Sequence, residues 1–190
     1  MPRKKEKPVC QLYIALVGIK PEIWRRFRVS SDITLDRLHQ IIQGVMGWEN
    51  CHLHQFIVGD RYYGVPQGES MPWGPKTRDE GGARLRQIVS GEGDQFSYEY
   101  DFGDSWEHVL EVEKIIPADE AGETPLCIDG EMACPPEDCG GRFGYARIQK
   151  YFKDPESVDP GEPWSMVVKD FDPEEFDLEE VNRWLESFRQ

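Results

Sequence analysis

The stretch FSYEYDFGDSWEHVLEV, residues 96–112, alternates on both sides of a turn. Phe96, Tyr98 and Tyr100 share one face, Phe102-Gly103-Asp104 reverses the chain, and Trp106, His108, Leu110 and Val112 resume that face. Alternation with a period of two around a glycine-containing turn predicts a β-hairpin with one buried side. Glu107, Glu111 and Glu113 take the wet side, which leaves His108 facing the core.

Upstream of this hairpin, Leu12, Ile14 and Leu16 alternate with Tyr13, Ala15 and Val17, a strand without a polar face and so a central one. Lys20-Pro21 interrupts it, and Ile23 to Val29 resumes the alternation, predicting a second antiparallel pair with a basic outer edge. Trp24, Arg25, Arg26 and Arg28 on that edge are the candidate binding residues for nucleic acid or a protein partner. The same arginines also suit a plainer task, keeping an exposed edge from pairing with another chain. Thr34 is placed to cap a helix in which Leu35, Leu38, Ile41, Ile42, Val45 and Met46 recur at helical spacing, with Gly47 as its stop. His52 to Val58 reads as a strand that puts His52 and His54 on one face, and Gly59-Asp60 turns it into Arg61-Tyr62-Tyr63-Gly64.

Residues 66–82 hold Pro66, Gly68, Pro72, Gly74, Pro75, Gly81 and Gly82 without periodicity, and read as a long loop. A helical turn follows around Leu85, Ile88 and Val89. Tyr145, Ile148 and Phe152 fit a short helix, Asp154 to Pro163 a loop, and Asp177 with Glu180 opens a last helix with Leu178, Val181, Leu185 and Phe188 along its stripe. Hairpin runs with interspersed helices predict an α+β fold: a mostly antiparallel sheet of about five or six strands with helices packed against it. Residues 1–7 form a basic tail, and 8–190 a single domain.

The chain has 190 residues and a net charge of −14, unevenly spread: residues 1–50 hold nine Lys/Arg against five Asp/Glu, residues 151–190 four against twelve. That balance weighs against broad binding of phosphate backbones, whose affinity comes from lysine and arginine. No apolar run is long enough to span a bilayer and the basic start lacks the apolar segment of a signal peptide, so a cytoplasmic protein is expected. Five cysteines, an odd number, are expected as reduced thiols.

Three constellations carry candidate chemistry. His52 and His54, with Asp101 and Asp104 flanking the hairpin turn, are the candidate catalytic set for a metal-dependent, nuclease-like hydrolase, in which a cation activates water. Cys127, Cys134 and Cys139 with His108 form a candidate structural zinc site, although the spacing Cys127-x6-Cys134-x4-Cys139 departs from CxxC pairs. In CPPEDCGG, residues 134–141, Pro135-Pro136 and Gly140-Gly141 predict a stiff corner, where Glu137 and Asp138 would bind a hard cation or, the commoner use, cap the next helix. Asp101-Phe102-Gly103 matches the kinase magnesium triplet but lacks every accompanying kinase motif.

Taken in order, WRRFRV, LHQIIQGVMGW, HLHQF, YEYDFGDSWEH, CPPEDCGGRFGY and FDPEEFDLEEVN resemble the plasmid pRiA open-reading-frame-three-like family, which includes insertion-element passenger proteins labelled TnpR-like. The resemblance runs nearly end to end. It implies an uncharacterised prokaryotic protein associated with plasmids or transposable elements, and assigns no reaction. The resolvase that the TnpR label suggests has no serine-recombinase active site here. With no complete catalytic pattern in view, a non-enzymatic binding or accessory module is the leading expectation, and the hydrolase and zinc readings are its alternatives.

Overall fold

The computed structural model describes residues 7–66, 76–157, 168 and 171–189. Residues 1–6 of the basic tail, 67–75 of the predicted loop and 158–163 of the later loop lie outside the described residues. Strands β1 (Val9–Leu16), β2 (Trp24–Ser30), β3 (His54–Val58), β4 (Arg61–Gly64), β5 (Thr77–Asp79), β6 (Gln95–Tyr100), β7 (Trp106–Ile116) and β8 (Leu126–Glu131) form one sheet. Its order is β5-β4-β3-β6-β7-β1-β2-β8. Every pairing is antiparallel except β4 with β5. Helices are α1 (Leu35–Met46), α2 (Leu85–Ile88), α3 (Gly141–Lys153) and α4 (Leu178–Leu185).

The α+β class holds, but the sheet has eight strands rather than five or six. The two unforeseen strands sit at its edges. β5 is three residues long, too short for any periodicity to register, and β8 reads LCIDGE, in which only Cys127 is buried. Because β8 pairs with β2, the predicted basic outer edge is no edge.

The hairpin of residues 96–112 forms as expected, pairing Tyr98 with His108 and Tyr100 with Trp106. β1 is central, between β7 and β2. The apolar stripe of α1 covers one sheet face, burying Leu35, Leu38, Ile41, Ile42 and Val45 over Phe27, Phe56, Tyr98, Tyr100 and Trp106. Complete burial of each such side chain contributes about 1.5–3 kcal/mol, so this layer holds the sheet together. Gly47 ends α1 in the left-handed region. At the other end the Thr34 hydroxyl makes no capping bond. The first amide, from Leu35, donates instead to the Ala83 carbonyl at 3.0 Å.

Arg25 ties the layers. It is 2% exposed and no surface cation. Its guanidinium donates to the carbonyls of Val45, Trp24, Glu131 and Met132 at 2.7–2.8 Å and lies over the Phe176 ring at 4.1 Å. Carbonyls at the end of α1 carry the negative pole of the helix, which offsets part of the cost of burying this charge. Arg25 thus joins α1, β2 and the segment after β8 at one point.

α4 begins as expected, with the Asp177 carboxylate accepting from the Glu179 and Glu180 amides at 2.9 Å. It packs on β8 and α1. No helix among the described residues is long and apolar enough to cross a membrane.

Candidate metal centre

CPPEDCGG folds into the predicted corner, with left-handed backbone at Asp138 (φ 53°), Gly140 (φ 88°) and Gly141 (φ 64°). Two glycines are required by space, Gly141 by its angle as well. A Cβ at Gly141 would lie 2.7 Å from the Asp104 carbonyl oxygen, and one at Gly144 would lie 1.7 Å from that of Cys139. The corner is pinned to the hairpin turn by the Gly140 amide, which donates to Asp104 Oδ2 at 3.0 Å. It is pinned to the end of β6 by the Tyr100 hydroxyl, which donates to Glu137 Oε1 at 2.9 Å, and to the chain after α1 by the Glu49 amide at 2.9 Å.

Neither acidic residue caps α3. Its N-cap is Gly140, without a side-chain bond, so the helix-capping expectation for Glu137 and Asp138 is overturned. Both side chains turn instead toward His52. His52 Nε2 lies 3.3 Å from Asp138 Oδ1, 3.6 Å from Glu137 Oε2 and 3.8 Å from Asp101 Oδ2. His52 Nε2 and Glu137 Oε2 are each shut off from solvent without a hydrogen-bond partner. Asp36 Oδ1, Trp106 Nε1 and Tyr145 Oη share that condition, so orphaning alone marks nothing. What sets this place apart is two orphaned atoms facing each other with two further carboxylates in reach. An unpaired buried polar atom costs about 1–3 kcal/mol, and a shared cation between these two would remove both penalties.

The local backbone is held to this geometry. Asp101 sits in the left-handed region (φ 56°), its amide donates to the Leu53 carbonyl at 2.8 Å and its Oδ1 accepts from the Gly103 amide at 2.9 Å. Asn50 (φ 55°) and Ser105 (φ 53°) are left-handed too. Such conformations persist only where surrounding structure fixes them, and they gather at functional sites. One side is open: the Asp138 side chain is 78% exposed, against 25% for His52, 12% for Glu137 and 10% for Asp101. Leu53 and Phe102, neighbours in sequence of His52 and Asp101, are exposed apolar residues.

Of the predicted catalytic set, the structure brings His52 and Asp101 together and sends the other two elsewhere. β3 starts at His54, so His52 precedes the strand and is free of its alternation. His54 is buried, its Nε2 2.8 Å from Glu80 Oε2, and its ring stacks on His39 with centroids 3.4 Å apart. His39 in turn bonds the Tyr98 hydroxyl and Asn50 Oδ1, both at 2.8 Å. Burial, then the neighbouring His54, pushes its pKa down to about 4. Asp104 holds the corner instead, its Oδ2 accepting from the Gly140 amide. In sequence Glu137 and Asp138 read only as cappers or ligands of a hard cation, and Cys51 carries no spacing signal.

The zinc set does not converge. Among the described residues, the groups with three ligand atoms within 4.8 Å of one another are Cys51, His52 and Glu137, and His52, Asp101 and Asp138. His108, fully buried as predicted, has both ring nitrogens engaged: Nε2 accepts from the Trp48 indole at 3.2 Å and Nδ1 donates to the Tyr98 carbonyl at 3.2 Å. Its pKa falls to about 4 through burial. Cys127 Sγ contacts the carbonyls of Arg26 and Asp129 at 3.6 and 3.7 Å. Burial pushes the Cys127 thiol up to about 11, Cys139 to about 12, and Cys134 well above the usual thiol range. All three pack in or against the hydrophobic core. All five cysteines are free thiols.

The candidate binding residues divide between the two faces of β2: Arg25 points into the core, while Trp24, Arg26 and Arg28 share the other face with their polar groups already paired. Trp24 donates to Glu131 Oε2 at 3.2 Å and stacks on Tyr13. Arg26 makes a two-pronged bond to Glu113 at 2.6 and 2.7 Å, with Asp129 at 3.8 Å. Arg28 donates to Gln11 at 3.2 Å, and Arg25 is buried.

Comparison with known proteins gives consistent matches. The family model for plasmid pRiA4b ORF-3-like proteins matches residues 8–180. The uncharacterized protein y4hQ of Sinorhizobium fredii is 38% identical over 148 residues, 77% of this chain and 74% of that protein. The crystal structure of MM3350, a protein of unknown function from Methanosarcina mazei Go1, superposes with a TM-score of 0.80 at 34% identity. That match covers 93% of this chain and 98% of the other.

Proposed function

The chain belongs to the plasmid pRiA4b ORF-3-like family, and from that premise we propose that it is a metal-dependent hydrolase whose divalent cation is held by His52 and Glu137, with Asp101 and Asp138 beside it. The observation that carries this reading is the pair of buried, unpartnered atoms, His52 Nε2 and Glu137 Oε2, 3.6 Å apart. An imidazole and carboxylates are ordinary ligands of divalent metals. Catalytic centres keep a position open for water, and here the side marked by Asp138 is open. A cation there would lower the pKa of bound water to about 7, and Asp138, the most exposed carboxylate of the four residues, is placed to take its proton.

Charge narrows the substrate. Three carboxylates surround one cation, in a chain of net charge −14, which disfavours a long polyanion and supports a small or neutral ester over nucleic acid. The full chain, stripped with chelator and reloaded with zinc or manganese, is offered phosphate monoesters, phosphodiesters, carboxylic esters and nucleic acids. We expect turnover of at least one ester class, lost at least about 100-fold in His52→Ala and in Glu137→Gln, because each removes a ligand. Bound metal without turnover of any class overturns hydrolysis.

The binding-module reading keeps one feature in its favour: Tyr13 and Trp24 stack with centroids 5.6 Å apart, and the Arg26 guanidinium lies over both rings. Because Arg26 is already paired with carboxylates, this surface suits a protein or an aromatic ligand better than a phosphate backbone. Absence of any DNA binding, duplex or single-stranded, even at low salt removes its nucleic-acid form.

A further inference from the structure

Cys51 precedes His52, is exposed and free, and belongs to none of the sequence-level constellations. Its Sγ, a His52 nitrogen and a Glu137 oxygen all lie within 4.8 Å of one another. The Tyr100 hydroxyl organises this side of the centre. It accepts from the Cys51 amide at 3.0 Å, sits 3.7 Å from Cys51 Sγ and donates to Glu137 Oε1 at 2.9 Å. Thiol and carboxylate are therefore anchored to one phenol, beside the imidazole that the two three-residue groups share.

We propose that Cys51 is a thiolate ligand of the metal, which makes the centre one for a borderline ion such as zinc rather than for magnesium or calcium. The inference rests on the metal reading above and specifies it. Hard cations select oxygen and leave a thiol idle, whereas zinc takes sulfur, imidazole and carboxylate together. Zinc bonds of about 2.3 Å to sulfur and about 2.0–2.1 Å to nitrogen or oxygen put tetrahedral ligands roughly 3.5 Å apart. The three ligand atoms, already within 4.8 Å of one another, have only to draw together around the ion. The step balances without any oxidant: the ion forms one bond to sulfur, and the thiol proton leaves to solvent.

Cobalt(II) is the probe. Titrated into the full chain, it should give visible d–d absorption together with a thiolate-to-cobalt charge-transfer band in the near ultraviolet. In Cys51→Ser the charge-transfer band should vanish while weaker d–d absorption remains, and zinc affinity should fall about 100-fold, as expected for loss of one ligand. Manganese binding should be unchanged in that variant. Retention of the charge-transfer band in Cys51→Ser assigns the sulfur to another cysteine and overturns the proposal. Cobalt d–d absorption without a charge-transfer band in the native chain also overturns it, leaving the His52 centre standing. No cobalt absorption in either protein brings down the centre itself.

Discussion

His52 and His54 stand two positions apart and have opposite fates. His54 enters a closed polar set in the core, with Glu80 on one side and His39, Tyr98 and Gln43 on the other, every bond at 2.8 Å. His52 turns outward among Asp101, Glu137 and Asp138 at 3.3–3.8 Å, its Nε2 unpartnered. Both places gather imidazole and carboxylate. A polar set that closes on itself rigidifies a core, while one left incomplete in nearly dry surroundings calls for something from outside.

The sharpest way to break this contrast is to remove a member from each side. His52→Ala should weaken zinc binding on the order of 1,000-fold, since the roughly 10–16 kcal/mol typical of a zinc site is shared among its few ligands. Titration calorimetry reads that loss. Glu137→Gln should also lose the metal, yet keep or raise stability without metal, because the amide retains Oε1 for Tyr100 and Glu49 and removes a buried unpaired charge. If urea unfolding finds Glu137→Gln markedly less stable, the carboxylate is structural. On the closed side, Glu80→Ala should cost about 3 kcal/mol in the same urea experiment while leaving metal affinity intact, as for other broken buried pairs.

A smaller test uses pH. His39 and His108 each have a folded pKa of about 4, below the 6.5 of an unperturbed histidine. Between these values the unfolded chain binds more protons than the folded one, so stability should fall as pH drops from about 6.5 to about 4 and then level off with respect to these groups. A flat urea midpoint across that window in the metal-free chain contradicts the neutral, buried assignment. The least effect belongs to the surface: Arg26→Gln breaks the Glu113 pair but should change stability by about 1 kcal/mol or less, since partly exposed ion pairs are worth little.

Much of the fold was legible because it is local. The alternation in residues 96–112, the stripe of α1, the Gly47 stop and the Asp177 cap are written in spacings of two to four residues, and each formed. β8 was not legible because Asp129 and Gly130 dilute its strand character, and missing it turned β2 into a false edge. Arg25 was misplaced for the same reason: apart from the adjacent Trp24, the carbonyls it binds at 2.8 Å lie 20 and 106 to 107 positions away along the chain. The centre was half legible. His52 and Asp101 stood out by type, but Glu137 meets the chain after α1 across 88 positions, and no pattern within CPPEDCGG says whether its acids turn toward the next helix or away from it. The corner itself, set by two prolines and two glycines, was plain.

The claim that a cation belongs between His52 and Glu137 is tested most directly by a crystal of the zinc-soaked full chain, with anomalous scattering measured at the zinc edge. One peak is predicted about 2.0–2.1 Å from His52 Nε2 and within bonding distance of Glu137. A map with no peak there, and with His52 and Glu137 bonded to each other or to ordered water, would contradict it.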